Sequence, residues 1–370
     1  MKFIYIFILL YLTAIFSSCS NSSTPAKKPV EVGAHQFDAY IPLLKNKKVG
    51  LVANHTSLVQ KTHLLDTLLN LGISVSKIFS PEHGFRGDAE AGELINNTID
   101  EKTGVPIISL YGKNYKPKNS DLSDIEILVF DIQDVGVRFY TYISTMHYIL
   151  EGCAENNIPL IVLDRPNPNG FYVAGPILDT TFSSFVGIHP IPLVHGLTIG
   201  ELAMMINGEK WIAAKCDLTV IKCKNYTHDL LYELPINPSP NLPNMQAVYL
   251  YASLGLFEGT IMSVGRGTEF PFQVYGHPQF DTTLFYFIPQ SVPGVSTNPK
   301  YNNQKCFGYD LRELKLNKKF TLSFLINAYN NCAENEQFFN SFFHKLAGTK
   351  ELQKQIESGM TEEEILKVGK

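Results

Sequence analysis

At 370 residues, 45% of them hydrophobic and 18% charged, the chain carries enough apolar material to bury a sizeable core, and its length favours two domains over one. Bulk disorder is excluded. A formal net charge of -4, with 31 dispersed lysines and arginines, leaves no basic excess for neutralising phosphates and so excludes nucleic acid as a partner.

The chain starts with Met1-Lys2, an apolar run from Phe3 to Phe16, and then Ser17, Ser18 and Cys19. That run is shorter than the ~20 residues of a membrane span and reads as a signal peptide over residues 1–19. Small residues directly before Cys19 resemble a lipobox, which implies lipidation at that cysteine. Residues 20–32 are small, polar and Pro-containing, the composition of a flexible tether. The expected location is therefore the cell envelope, anchored to a membrane through lipid, facing the periplasm and on the outer membrane. Five further cysteines, an odd number without a CxxC pair, indicate neither a disulfide framework nor a metal site. Cys216 and Cys223 are either a local bridge or free core thiols.

From residue 33 onward short apolar runs alternate with amphipathic stretches. Strands are predicted at Lys48–Ala53, Val75–Phe79, Pro106–Leu110, Ile125–Phe130 and Pro159–Leu163, with helices at Leu64–Leu71 and Tyr140–Asn156. This alternation predicts an α/β domain with a parallel, helix-covered sheet over residues 33–185. Beyond about residue 175 the texture becomes Pro-punctuated. A helix at Thr198–Asn207, a strand at Leu218–Cys223 and a closing amphipathic helix from Phe320 to Leu346 are predicted there. Residues 186–370 are assigned to a smaller α+β domain, with the active-site cleft between the two.

Four predicted strands end in polar clusters: Asn54-His55-Thr56, Pro81-Glu82-His83-Gly84, Asp131-Ile-Gln-Asp134 and Asp164-Arg165-Pro166-Asn167. A parallel sheet places these ends on one edge, where open α/β folds bind ligands. Glu82, in a loop tightened by Pro81 and two glycines, is the candidate general acid; the competing reading pairs it with Arg86. Asp131 and Asp134 complete the catalytic candidates, since glycosidases need a second carboxyl, although capping and loop-ordering roles suit them as well. Asn54, His55, His83, Arg138, Asp164, Asn241, Glu258, Arg266 and Tyr275 are assigned to substrate binding. Arg138 and Arg266 are the two candidates for clamping a carboxylate. No GxGxxG fingerprint, GxSxG elbow or HExxH motif occurs, so neither cofactor nor metal is expected.

These runs, together with Arg138-Phe-Tyr-Thr-Tyr142, His195-Gly196, Pro238-Ser-Pro-Asn-Leu-Pro243 and Phe257-Glu-Gly-Thr260 with Ser263-Val-Gly-Arg-Gly-Thr268, resemble the bacterial exo-β-N-acetylmuramidases over roughly residues 35–365. The resemblance implies a Rossmann-like domain followed by a smaller one, and release of a terminal N-acetylmuramic acid from peptidoglycan-derived amino sugars during wall recycling. It also places Glu82 at the catalytic glutamate. Ile261 stands where the resemblance implies Asn, and the chain stops at Lys370 before the aromatic tail it implies. The rival is a non-catalytic envelope lipoprotein that binds the same fragments. An esterase or deacetylase is disfavoured by the missing motifs.

Overall fold

A computed structural model describes residues 28–82, 84–86, 97–112, 114–315, 319–332 and 337–368. The signal peptide, Cys19, most of the expected tether and His83 lie outside the described residues. The last tether residues are part of the fold: Glu31 exchanges backbone hydrogen bonds with Lys224, and Val32 is buried.

Seven strands build the main sheet: β1 (Val49–Ala53), β2 (Val75–Ser80), β3 (Thr98–Ile99), β4 (Pro106–Ser109), β5 (Ile127–Asp131), β6 (Leu160–Leu163) and β7 (Leu218–Ile221). Their order is β7-β6-β5-β1-β2-β4-β3, parallel throughout except for β3 at the edge. Strands β1, β5 and β6 are buried along their whole length, which is why their sequences are continuous apolar runs rather than alternating ones. Tyr40, Leu44, Leu64 and Leu68, from the helices Phe37–Leu44 and Leu64–Asn70, cover one face. On the other face lies the long helix Tyr142–Asn156. The six parallel strands follow the doubly wound Rossmann order, whose crevice opens where β1 meets β5 and the chain switches direction across the sheet.

A second group of strands, β8 (Val274–His277), β9 (Phe285–Phe287) and β10 (Cys306–Asp310), pairs antiparallel in the order β8-β10-β9. It packs with the helices Met245–Leu254 and Ser323–Asn330 into the smaller α+β part. The sheet of the first part takes β7 from residues 218–221, beyond the expected boundary at 185/186. A parallel partner for β6 needs a crossover, here through the helix Ile199–Gly208.

The expected closing helix from Phe320 to Leu346 is not continuous. A helix occupies Ser323–Asn330 and a shorter one Phe343–Ala347. Between them Phe338–Asn340 is drawn into extended pairing: Ile261 N donates to Phe338 O (2.9 Å) and Asn340 N to Gly259 O (3.0 Å). All five described cysteines are free thiols; Cys216 contacts Cys153, and Cys223 Sγ donates to Asp164 O at 3.2 Å. Cys216 and Cys223 form no bridge.

Candidate active site

Three strand ends deliver the first wall of a cleft of about 520 Å3. Two residues beyond β2 comes Glu82, and two beyond β4 comes Tyr111. The segment leading from β5 into the long helix supplies Phe139, Tyr140, Thr141 and Tyr142. The half-buried Glu82 carboxylate accepts a hydrogen bond from Thr141 Oγ1 at 2.7 Å. Near it is the Tyr111 hydroxyl; burial, then the charge of Glu82, push that phenol well above its ordinary value, so it stays protonated. Arg86 instead pairs with Asp100 at 2.8 Å, so Glu82 is not a structural partner for Arg86.

The opposite wall comes from the second part. Met245–Leu254 runs directly into a 3-10 turn, Gly255–Gly259, which presents Glu258. Arg266 grips that carboxylate side-on, Nε to Oε1 at 2.6 Å and Nη2 to Oε2 at 3.0 Å, with its guanidinium 4.9 Å from the Phe272 ring centre. Burial alone would raise the Glu258 carboxyl; the Arg266 charge and hydrogen bonds outweigh it and hold the group below the usual range, so it is ionised. Lys300 Nζ props the turn from outside by donating to Thr260 O at 2.6 Å. The loop before it, Val295 to Asn298, lines the cleft, and Asn241 Nδ2 fastens it by donating to Val295 O at 2.9 Å. That bond fixes the amide so that Oδ1, buried and without a hydrogen-bond partner among the described residues, is an acceptor at the cleft wall.

Four of the sequence-assigned residues therefore meet here: Glu82, Asn241, Glu258 and Arg266. Among the described residues, the others do not line the cleft. Asp131 is locked in a buried fork with Arg165, at 2.6 and 2.8 Å, because a carboxylate with no water around it needs a full counter-charge. Asp134 orders its own loop, Oδ2 accepting from Gly136 N at 2.7 Å with His195 Nε2 3.6 Å away. Asn54 closes the turn after β1 by accepting from Thr56 N and Oγ1 at 2.9 and 2.6 Å. His55 Nε2 lies 2.9 Å from Asn237 O.

Arg138 is fully buried. Its Nη1 donates to Pro176 O (2.6 Å) and Ile191 O (2.8 Å), and its Nη2 to Leu346 O (3.0 Å) and Ala347 O (2.7 Å). That guanidinium pins the two parts of the molecule and does not line the cleft. Asp164 anchors the start of the helix Ile199–Gly208 by accepting from Gly200 N (2.8 Å) and Thr198 Oγ1 (3.0 Å). Tyr275 is a core ring whose hydroxyl donates to Asn327 Oδ1 at 3.1 Å. Sequence reasoning missed Tyr111, Phe185, Phe342, Leu346 and the 295–298 loop; Phe139 to Tyr142, Ser239 and Leu242 lay inside quoted runs without being singled out.

A Rossmann-ordered sheet whose strand ends face an ionised Glu258–Arg266 pair across a cleft defines a two-part α/β protein with carboxyls on both walls. Its two parts match the family described as "Exo-beta-N-acetylmuramidase NamZ", the N-terminal domain at residues 49–246 and the C-terminal domain at 249–369, and the chain belongs to that family. It is 41% identical to the peptidoglycan beta-N-acetylmuramidase NamZ of Bacillus subtilis (strain 168), over 96% of this chain and 91% of that protein. Two crystal structures of DUF1343 family proteins from Bacteroides fragilis are similar to it. One is 50% identical with a TM-score of 0.86, covering 93% of this chain and 95% of its own. The other is 28% identical with a TM-score of 0.76, covering 89% and 91%.

Proposed function

We propose that the cleft holds a non-reducing terminal N-acetylmuramic acid of a peptidoglycan fragment, and that Glu82 protonates the glycosidic oxygen as it leaves. By family the chain is an exo-acting glycoside hydrolase, which fits wall turnover and recycling. The observation that carries the residue roles is the meeting of Glu82, steadied by Thr141, with the ionised Glu258–Arg266 pair across one cleft. A pyranose losing its leaving group develops positive charge, and a carboxylate kept ionised on the far wall stabilises it.

Arg266 reads the lactyl carboxylate in this proposal. Its Nε and Nη2 are engaged by Glu258, while Nη1 makes no hydrogen bond among the described residues and remains for a substrate oxygen. Arg138, the other candidate, spends its guanidinium on four carbonyls. The lactyl group is what separates muramic acid from N-acetylglucosamine, so a guanidinium beside it sets the preference.

Replacing Glu82 by Gln keeps the shape and removes the proton, so turnover of the natural disaccharide should fall by roughly 10²-fold or more. A glycoside with a very good leaving group should be partly spared. Near-normal disaccharide turnover by a folded Glu82→Gln enzyme would sink the assignment. We also propose attachment to a membrane through lipid on Cys19, supported by the sequence pattern around it. Cell fractionation checks this: the Cys19→Ala protein should leave the membrane fraction with unchanged specific activity, and full retention would mean another anchor.

A further inference from the structure

Beside Glu82, on the first wall, Tyr111 and Phe185 form an aromatic shelf that the rings of Tyr115 and Tyr148 back. Tyr111, two residues beyond β4, has its ring 5.8 Å from that of Phe185, and both line the cleft with Glu82. Phe185 in turn stacks on Tyr115 at 3.9 Å between centroids, with 22° between the planes. Tyr148, from the long helix, lies nearly parallel to both, at 14° to Phe185 and 19° to Tyr115, with centroids 6.4 and 6.3 Å away. All four side chains are half-buried.

A ring stacked on its neighbours has a fixed orientation before any ligand arrives, so a flat partner costs little ordering to bind. A hexopyranose presents one such flat face of C–H bonds, and an amino sugar adds polar groups only at its rim. The position of the shelf selects which sugar. A general acid protonates the oxygen that departs with the leaving group, so the ring bonded through that oxygen lies on the acid's side of the cleft. Arg266 and Glu258, which meet the cleaved sugar in the reading above, belong to the opposite wall.

We propose that Phe185, held by Tyr115 and Tyr148, forms with Tyr111 the subsite for the departing sugar, an N-acetylglucosamine unit stacking its apolar face on the shelf these rings make at the cleft wall. The shelf then acts in catalysis by orientation: it holds the leaving oxygen toward Glu82. This inference rests on Glu82 being the acid. It goes beyond it by assigning the specificity for the second sugar to residues outside the polar motifs.

The test compares two substrates of wild type and variants: the N-acetylmuramyl–N-acetylglucosamine disaccharide, and N-acetylmuramyl β-azide, whose leaving group has no ring to stack. For Tyr115→Ala and Phe185→Ala, the ratio of kcat/KM on the disaccharide to that on the azide should drop by about 10-fold, the scale of one lost aromatic stack, with a higher KM for the disaccharide. Tyr115→Phe keeps the ring and should keep the ratio. Equal losses on both substrates would show a merely structural wall, and an unchanged ratio would place the second sugar elsewhere; either result overturns the proposal. Failure of wild type to cleave either substrate would instead fault the reading of the reaction itself.

Discussion

At Arg138 four carbonyl oxygens from three separate segments converge on one guanidinium, with no carboxylate among the described residues to share it. Burial alone pulls that group down to about 10, so it remains charged wherever the protein operates. Removing it leaves buried acceptors without donors, and Arg138→Ala should cost about 3 kcal/mol of stability or more, read as a lower midpoint in urea unfolding. Arg266→Ala should differ in kind: it should cut the preference for muramic over glucosamine substrates by roughly 10-fold or more, the value of a charge-assisted contact. An unaltered ratio of the two activities would move lactyl recognition away from Arg266. Asp164 gives a pH signature. Burial raises its carboxyl from 3.8 to about 6 against the hydrogen bonds from Gly200 and Thr198. Because the folded state holds the proton more tightly than the unfolded chain, stability is fully present below pH ~4 and is lost as pH rises through about 6. Asp164→Asn should abolish that loss, gaining on wild type by up to about 3 kcal/mol between pH 4 and 7 in paired melts. A constant difference across that range would mean the proton is not held there. Sequence showed these charges but not their partners. Asp131 looked like a second catalytic carboxyl because Arg165 lies 34 positions away and only the fold brings it within 2.6 Å.

The turn Gly255–Gly259 and the helix Phe343–Ala347 touch so closely that a side chain at Gly259 has no room. A Cβ there would sit 2.4 Å from Phe343 Cα and 2.6 Å from its N. Backbone cannot yield as a flexible side chain does, so Gly259→Ala must push the helix outward, and with it Phe342 and Leu346 on the cleft wall. A lowered melting temperature together with a raised KM is the expected outcome; wild-type kinetics in this variant would show that the wall tolerates displacement. The parallel strands of the main sheet were legible as short apolar runs, unbroken in β1, β5 and β6 where both faces are buried, and their observed ends fall within about two residues of the expected ones; the exposed two-residue edge strand β3 left no such run and was missed. Phe320–Leu346 was misread for an equally physical reason. Its apolar residues keep helical spacing, but Phe338–Asn340 exchanges hydrogen bonds with Gly259 and Ile261, a long-range pairing that local periodicity does not encode.

Across the whole molecule a single apolar cluster runs from Val52 and Phe79 on the sheet, through Met146 and Leu150, to Phe257, Phe343 and Ile356 in the second part. The two parts therefore share one core, and the cleft is a surface groove along their junction. The fold class was readable from the alternation of strands and helices, and the convergence of polar strand ends located Glu82. The division between parts was not readable: chain composition changes near residue 175, while β7 returns to the sheet at 218–221. The junction has a consequence for the medium in which the protein works. Neutral carbonyls around a buried cation offer dissolved ions no exposed charge pair to screen, so the two parts keep their registry from dilute to saline surroundings. Arg266 is different, since its side chain is 22% exposed to the cleft. Small anions reach it as readily as a lactyl group does. Rising salt is then felt as competition at the mouth of the site, in KM, while the scaffold around it holds its shape.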